Sequence, residues 1–208
     1  MTHSTVAKYN MIEQQIRPWE VLDNRVLSVL DAVDRADFVR PAYQGLAYAD
    51  CQIPVGNGVR MLPPTIEGRM LQALMIGPDD RVLEVGCGSG YLSVCLAQLA
   101  QQVTSIDARA EIVDFARANQ AKFGPQNCEF RELDQSQVNE RLRYDVIAVS
   151  ASLARVPDNL RQALTLGGRM FIVVGQSPVM EALLITRVGE SAWTTQSLFE
   201  TDLPRLDG

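Results

Sequence analysis

The chain has 208 residues, of which 47% are hydrophobic, and it carries a formal net charge of −6 at pH 7. This composition suits one domain with a sizeable core, and the acidic balance without a basic cluster argues against nucleic acid as the main partner. The N-terminus lacks the apolar core of a secretion signal, and no apolar run approaches the ~18 residues of a membrane span. We therefore expect a cytoplasmic protein that has no membrane segment.

The metal-binding residue types are few and scattered. Cys51, Cys87, Cys95 and Cys128 form no C-x-x-C pair, and the single histidine, His3, lies near the N-terminus. A zinc site needs several such ligands at close spacing, so no metal is expected. The cysteines are better interpreted as buried, reduced thiols.

Apolar spacing predicts three helices in the first part of the chain, over residues 4–17, 24–33 and 65–76. Between the second and third helices, residues 35–64 are rich in proline, glycine and aromatic side chains, which predicts an irregular segment. Long loops inside a compact domain are often functional.

From Arg81 onward the sequence alternates strand and helix patterns, as parallel α/β sheets do. The predicted strands are 81–85, 102–106, 128–133, 144–150 and 169–174, the predicted helices are 91–100, 110–123 and 158–166, and the strands 182–188 and 192–199 close the chain as an antiparallel pair. The expected fold is a doubly wound, mostly parallel α/β sheet with an N-terminal helical extension and an antiparallel C-terminal strand pair.

A glycine-rich turn stands between the first of these strands and the helix that follows it. The segment from Arg81 to Tyr91 reads RVLEVGCGSGY, so its glycines fall at 86, 88 and 90. Strand, glycine turn and helix in this order place backbone N–H groups where a nucleotide-like ligand can approach. A tight turn with no ligand is the alternative. The dinucleotide pattern G-x-G-x-x-G would need glycine at Tyr91, which disfavours a nicotinamide-dependent oxidoreductase.

An acid at the end of the next strand strengthens the ligand hypothesis. Asp107 follows the strand pattern QVTSI directly. A carboxylate at this place can accept hydrogen bonds from both ribose hydroxyls of a bound nucleoside. A glycine turn together with such an acid is much harder to obtain by chance than either feature alone.

These blocks resemble a known enzyme class. VLEVGCGSGY, VTSIDAR, LDQ, YDVIAVSASLARVP and LTLGGRMFIVVG look like class I S-adenosylmethionine-dependent methyltransferases. The segment 47–58, AYADCQIPVGNG, is similar to A-Y-x-D-x-x-x-P-I-G-x-G of the protein-L-isoaspartate O-methyltransferase family. The resemblance covers nearly the whole chain. It implies a Rossmann-like fold in a single domain, with residues 1–78 forming helices and a substrate loop and residues 79–208 forming the cofactor-binding core.

The same resemblance implies the cofactor and its contacts. The cofactor is S-adenosyl-L-methionine, with S-adenosyl-L-homocysteine as product, and the substrate is an isoaspartyl-containing protein or peptide. The implied cofactor-binding residues are Glu84, Gly86, Cys87, Gly88, Gly90, Asp107, Ala108, Leu133 and Asp134. Asp107 would bind the ribose and Asp134 the adenine amino group. Asp134 could instead cap the strand end, and Glu84 could be a supporting acid behind the site.

The acceptor side departs from the family pattern. Where the family shows a Thr-Ile-Ser-x-Pro type run, this chain reads Arg60-Met61-Leu62-Pro63-Pro64. Leucine cannot replace the hydrogen bond of the family's serine. The acceptor carboxylate is already ionised at neutral pH, since its pKa lies near about 4, and no general base is needed. Losing one neutral hydrogen bond costs on the order of 1–3 kcal/mol, which slows the reaction without forbidding it.

The candidate catalytic residues are therefore Leu62, Arg60 and Ser150. Arg60 could pair with a substrate carboxylate, or it could be a surface arginine whose stem covers a tyrosine. Ser150 lies at the end of the fourth strand with Ser152, where donor and acceptor meet in this fold, and either hydroxyl could instead form a turn. Residues 201–206 stand in for the family's F-V-P-L segment, which helps to grip the substrate backbone.

Three hypotheses follow for the function. The first is a protein-L-isoaspartate O-methyltransferase that acts in protein repair. The second is a methyltransferase of the same lineage with another acceptor, because Leu62 removes a substrate contact. The third is a protein that binds the cofactor without turnover. The oligomeric state is not indicated by the sequence.

Overall fold

The computed structural model describes residues 3–206. Its strands are β1 (Ile53–Gly56), β2 (Val59–Met61), β3 (Arg81–Val85), β4 (Gln102–Asp107), β5 (Cys128–Glu132), β6 (Tyr144–Leu153), β7 (Leu164–Gln176), β8 (Val179–Gly189) and β9 (Ala192–Thr201). Its α-helices are α1 (His3–Asn10), α2 (Asn24–Ala32), α3 (Pro64–Leu74), α4 (Tyr91–Leu99), α5 (Ala110–Phe123) and α6 (Asp158–Gln162).

Seven strands form one sheet in the order β5-β4-β3-β6-β7-β8-β9. The first five are parallel, and β8 and β9 continue the sheet as an antiparallel pair. The predicted fold class is confirmed. The strand order reverses between β3 and β6, and open α/β sheets bind ligands beyond the carboxyl ends of the strands at such a reversal.

The sheet is covered on both faces, as its apolar strands require. In β6, Val146 to Val149 are fully buried. Val82 and Leu83, which are adjacent in β3, point to opposite faces and belong to two different apolar clusters. The first cluster includes side chains of α2, α3, α4 and α5, and the second includes Leu160 of α6. None of the helices in the described part of the chain has the length and apolar character needed to cross a membrane.

The segment 35–64 is more regular than predicted. It contains two short 3₁₀ helices, 35–38 and 41–46, and the antiparallel hairpin β1–β2. Asn57 and Gly58 form the hairpin turn with φ values of +50° and +79°. Two consecutive left-handed residues are what a two-residue hairpin turn needs, and Asn-Gly between apolar residues is a strong signal for one.

Two predicted helices also end differently. The first is an α-helix over His3–Asn10, and the chain continues as a π-helical turn and a 3₁₀ turn that contains Pro18. The helix predicted over 158–166 ends at Gln162, because Leu164 already pairs with Tyr144 at the start of β7. Sheet pairing overrides the local helical pattern at this point.

Candidate functional site

A cleft of about 580 Å³ lies at the carboxyl ends of β3 and β6. Three parts of the chain form its walls: the glycine turn after β3, the hairpin residues 58–62, and the C-terminal residues 204–206. We call this space the cofactor cleft. Eight predicted site residues line it, and six of them are Arg60, Leu62, Glu84, Gly86, Cys87 and Gly88. Asp107 and Ser150 line it as well.

The glycine turn holds two kinds of glycine. A Cβ at Gly90 would lie 2.9 Å from the Ala116 carbonyl oxygen, so glycine is needed there to let α4 start against α5. A Cβ at Gly88 would meet no atom within 4 Å. Packing of the chain itself therefore requires glycine at 90, whereas Gly88 faces open space in the cleft wall.

Asp107 presents an unused acceptor to the cleft. Its Oδ1 accepts hydrogen bonds from the Arg109 backbone N–H (3.1 Å) and Nε (2.9 Å). Its Oδ2 is buried and has no hydrogen-bond partner among the described residues. A buried carboxylate oxygen without a partner is costly, which fits a site that is completed by a ligand's hydroxyl donors.

Glu84 is a second buried acid in the cleft wall. Its Oε2 accepts hydrogen bonds from Ser93 of α4 and Ser105 of β4, while Oε1 is buried with no partner in the described chain. Burial raises the pKa of Glu84 to about 8, against the hydrogen bonds from the two serines. A cationic group of a ligand beside Oε1 would favour the ionised carboxylate.

A smaller pocket of about 290 Å³ adjoins the cleft and shares Gly86 and Asp107 with it. Three more predicted residues line this pocket, Ala108, Leu133 and Asp134, whereas Gly90 lines neither space. Asp134 caps the short 3₁₀ helix 135–137, since its Oδ1 accepts the Ser136 N–H at 2.8 Å. Asp134 therefore has a local capping role just after β5, which is close to the alternative interpretation of this residue. Its side chain also lines the pocket.

Ser150 and Ser152 direct their hydroxyl protons to the backbone. Ser150 Oγ donates to the carbonyl oxygens of Val85 and Gly86, which braces the glycine turn from β6. Ser152 Oγ donates to Leu203 O (2.8 Å), and its N–H donates to Pro204 O (2.9 Å). Ser152 thus fastens the C-terminal segment along the cleft.

The acceptor side contains one buried and one free side chain. Leu62 is buried in the cleft wall, and its carbonyl oxygen accepts a hydrogen bond from Arg35. Arg60 is exposed on β2, and its guanidinium makes no hydrogen bond or ion pair within residues 3–206. Its charge is therefore available to a ligand.

Sequence reasoning missed two arginines that organise the site. Arg35 is fully buried, pairs with buried Glu67 and lies 4.9 Å from the centre of the Tyr91 ring. Arg109 pairs with Asp107 and donates to Leu206 O, which joins the acid to the C-terminal segment. An acid and an arginine two residues apart could have indicated the pair Asp107–Arg109 from the sequence. No sequence pattern indicates the contact between residues 35 and 67.

The sequence is similar to known proteins over most of its length. The sequence model described as protein-L-isoaspartate(D-aspartate) O-methyltransferase matches residues 6–201. A protein-L-isoaspartate O-methyltransferase of Koribacter versatilis is 37% identical over 188 residues, which cover 90% of this chain and 84% of the relative. One from Paracoccus denitrificans is 35% identical over 195 residues, which cover 93% of this chain and 90% of the relative.

The solved structures agree on the fold. A Plasmodium falciparum protein described as a protein-L-isoaspartate O-methyltransferase in complex with S-adenosyl-L-homocysteine superimposes with a TM-score of 0.84. Its sequence is 22% identical, and the superposition covers 99% of each of the two chains. The family predicted from the motifs is confirmed by the sequence matches. This chain belongs to the protein-L-isoaspartate(D-aspartate) O-methyltransferase family.

Proposed function

We propose that this chain methylates the side-branched carboxylate of L-isoaspartyl residues in damaged cytoplasmic proteins. As a family member it is an S-adenosylmethionine-dependent O-methyltransferase. The observation that carries the proposal is the composition of the cofactor cleft. One space joins the unpaired Asp107 oxygen and the open glycine turn to the hairpin and the C-terminal segment.

The cofactor, when bound, supplies a methyl group on a positively charged sulfonium. Asp107 Oδ2 would accept hydrogen bonds from the ribose, and Glu84 Oε1 would face the cationic methionine end. The pocket at Ala108, Leu133 and Asp134 would enclose the adenine. Gly86, Cys87, Gly88 and Gly90 form the turn, in which the first three line the cleft and Gly90 lies behind it.

The acceptor would meet a mostly apolar wall. Leu62 and Met61 exclude water there, and Leu206 closes the other side. An ionised carboxylate needs no base, so alignment and loss of water can supply most of the acceleration. The positive charge of Arg60 would orient the acceptor carboxylate. Ser150 would act indirectly, because its hydrogen bonds hold the glycine turn in place.

Replacing Asp107 tests the cofactor site. We expect Asp107→Ala to weaken S-adenosyl-L-homocysteine binding about 100-fold, since hydrogen bonds to a charged group are each worth about 1.5–3 kcal/mol. Calorimetric titration measures the dissociation constant. Asp114→Ala, which removes an exposed acid of α5, is the control and should leave it unchanged. Equal affinity in both variants would contradict the proposed ribose contact.

The acceptor is tested with an isoaspartyl peptide and its aspartyl counterpart. We expect radiolabelled methyl transfer to the isoaspartyl peptide alone. Leu62→Ser should raise kcat/KM by about tenfold, which corresponds to one recovered hydrogen bond of about 1.4 kcal/mol. Leu62→Ala is the matched control, because it leaves a similar cavity without the hydroxyl. If serine and alanine give the same rate, the missing hydroxyl does not limit the reaction.

A second candidate function is methyl transfer to a different carboxylate. The apolar Leu62 beside the free Arg60 favours it, because this pair replaces polar side chains of the family pattern. Cofactor binding without transfer to the isoaspartyl peptide, followed by transfer to another carboxylate, would support this candidate over the first.

A further inference from the structure

An open groove of about 1250 Å³ lies beside the cofactor cleft, along the loop between β6 and α6. Arg205 of the C-terminal segment lines both spaces, so the groove begins where the cleft ends. Arg155 also lines the groove. The bridge between Arg205 and Ser152 fixes the backbone at this junction.

The groove and the acceptor side of the cleft are positively charged in an acidic protein. Nine arginines of the described chain are paired with carboxylates. Arg60 and Arg155 are exposed, and within residues 3–206 neither guanidinium has a hydrogen bond or an ion pair. Arg205 uses Nη1 to donate to the Gly175 carbonyl oxygen (3.1 Å) and has no carboxylate partner in the part of the chain that the structure describes.

Among the described residues that line the groove, no unpaired acid offsets these arginines. Asp158 is the acid among the residues that line it, and it pairs with Arg161. The arginines therefore follow one path, from Arg60 at the acceptor wall, past Arg205, to Arg155. An extended peptide whose reacting residue enters the cleft would place its neighbouring residues along this path.

We propose that the groove is a subsite for acidic residues that flank the reacting residue of the substrate, with Arg155 and Arg205 as its specificity-determining contacts. This inference rests on the proposed function, because it assumes a peptide acceptor in the cleft. Arginine binds carboxylates through paired N–H donors. Arg155 gives up no internal contact when it does so, and Arg205 has donors left besides the one bonded to Gly175. The preferred acceptor is then an isoaspartyl residue within an acidic stretch.

The expected preference is moderate and sensitive to salt. Exposed ion pairs contribute little singly, so Arg155 alone should change kcat/KM about 3- to 5-fold. Charges at the surface are screened within about 10 Å at 0.1 M salt, and the preference should shrink as salt is raised. The effect should lie in KM, since the groove is remote from the reacting atoms.

The test compares two isoaspartyl peptides that differ only in their flanks, three glutamates in one and three glutamines in the other. Methyl transfer is measured for the wild type, Arg155→Gln and Arg141→Gln. Arg141 is also exposed and lines neither the cleft nor the groove, which makes it a matched control. Fluorescence anisotropy of labelled, unreactive aspartyl forms of the same peptides reports binding without turnover.

We expect the wild type to favour the acidic peptide, and Arg155→Gln to lose that preference while its rate on the neutral peptide is unchanged. Equal use of both peptides by the wild type would overturn the subsite and leave the proposed function intact. An equal loss of the preference for the acidic peptide in Arg141→Gln would also overturn the subsite. If neither peptide is methylated but the acidic one binds in an Arg155-dependent manner, the proposed acceptor is wrong and the subsite stands. Absence of both methylation and selective binding overturns both.

Discussion

Arg35→Met is expected to lower the free energy of unfolding by about 3–5 kcal/mol, because it leaves the Glu67 carboxylate buried without its partner. Arg35 is fully buried, and the Glu67 side chain is 3% exposed. Denaturant unfolding followed by circular dichroism measures the loss. A change below about 1 kcal/mol would mean that the pair contributes nothing specific.

The double variant Arg35→Met/Glu67→Met is the control that separates the pair from the packing. Well-packed apolar residues often replace a buried ion pair at little cost, so the double variant should recover most of the stability. Its remaining deficit measures the other contacts of Arg35, to Leu62 O and to the Tyr91 ring. If the double variant is as unstable as the single one, the loss comes from those contacts and not from the unpaired, buried charge of Glu67.

The single variant should also depend on pH in a defined direction. Burial raises the pKa of Glu67, and the Arg35 guanidinium opposes that rise. Without Arg35 the pKa in the folded state moves further above the unfolded value of about 4.3. A raised carboxyl pKa gives stability that is fully present below the unfolded pKa and is lost as pH rises through the folded pKa. The deficit of Arg35→Met should therefore shrink toward pH 5 and grow toward pH 8.

The pair has a functional consequence that stability alone does not show. Arg35 joins the acceptor wall at Leu62 to Tyr91, the first residue of the helix after the glycine turn. In the double variant, which is expected to fold, the acceptor wall loses this anchor. Methyl transfer should fall further than the affinity for S-adenosyl-L-homocysteine, because Asp107 and the glycines of the turn are kept and only Glu67 of the cleft lining is replaced.

Local sequence patterns singled out cofactor-site candidates that the fold brings together around one cleft. The glycines at 86, 88 and 90 and the acid at 107 each follow a strand whose apolar run is visible in the sequence. The parallel pairing of β3 with β4 then brings the two ends together. Such features are set by residues a few positions apart, and the sheet topology makes their proximity certain once the strands are identified.

Other features depend on contacts that no local pattern encodes. Arg35 stands in the charged run Asp34-Arg35-Ala36-Asp37 and reads as a surface residue, yet the fold buries it against Glu67, which is 32 positions away. The end of α6 is set by pairing between β6 and β7. The hairpin at Asn57-Gly58 is different, because its turn signal was present in the sequence and was read as part of an irregular loop.

The glycine turn allows packing and ligand binding to be separated by two alanine substitutions. Gly90→Ala should destabilise the fold by about 2–5 kcal/mol, since φ is +81° and the new Cβ would overlap the Ala116 backbone. Gly88→Ala should cost only about 1 kcal/mol, because its φ of +52° is a left-handed conformation that alanine can adopt and the space around it is open. The two variants share a turn and a chemical change, and they differ in what surrounds the added methyl group.

If the space at Gly88 is reserved for the cofactor, the stable variant should be the one that cannot bind it. We expect Gly88→Ala to unfold near the wild-type denaturant midpoint and to lose at least about 100-fold in affinity for S-adenosyl-L-homocysteine, since a bound ligand would overlap the methyl group. Gly90→Ala should instead lose stability. Under conditions where this variant is folded, its affinity for S-adenosyl-L-homocysteine should be close to that of the wild type. Wild-type affinity in Gly88→Ala would show that the ligand does not approach the turn at this residue, and the cofactor would then have to be placed by Asp107 and the adjoining pocket alone.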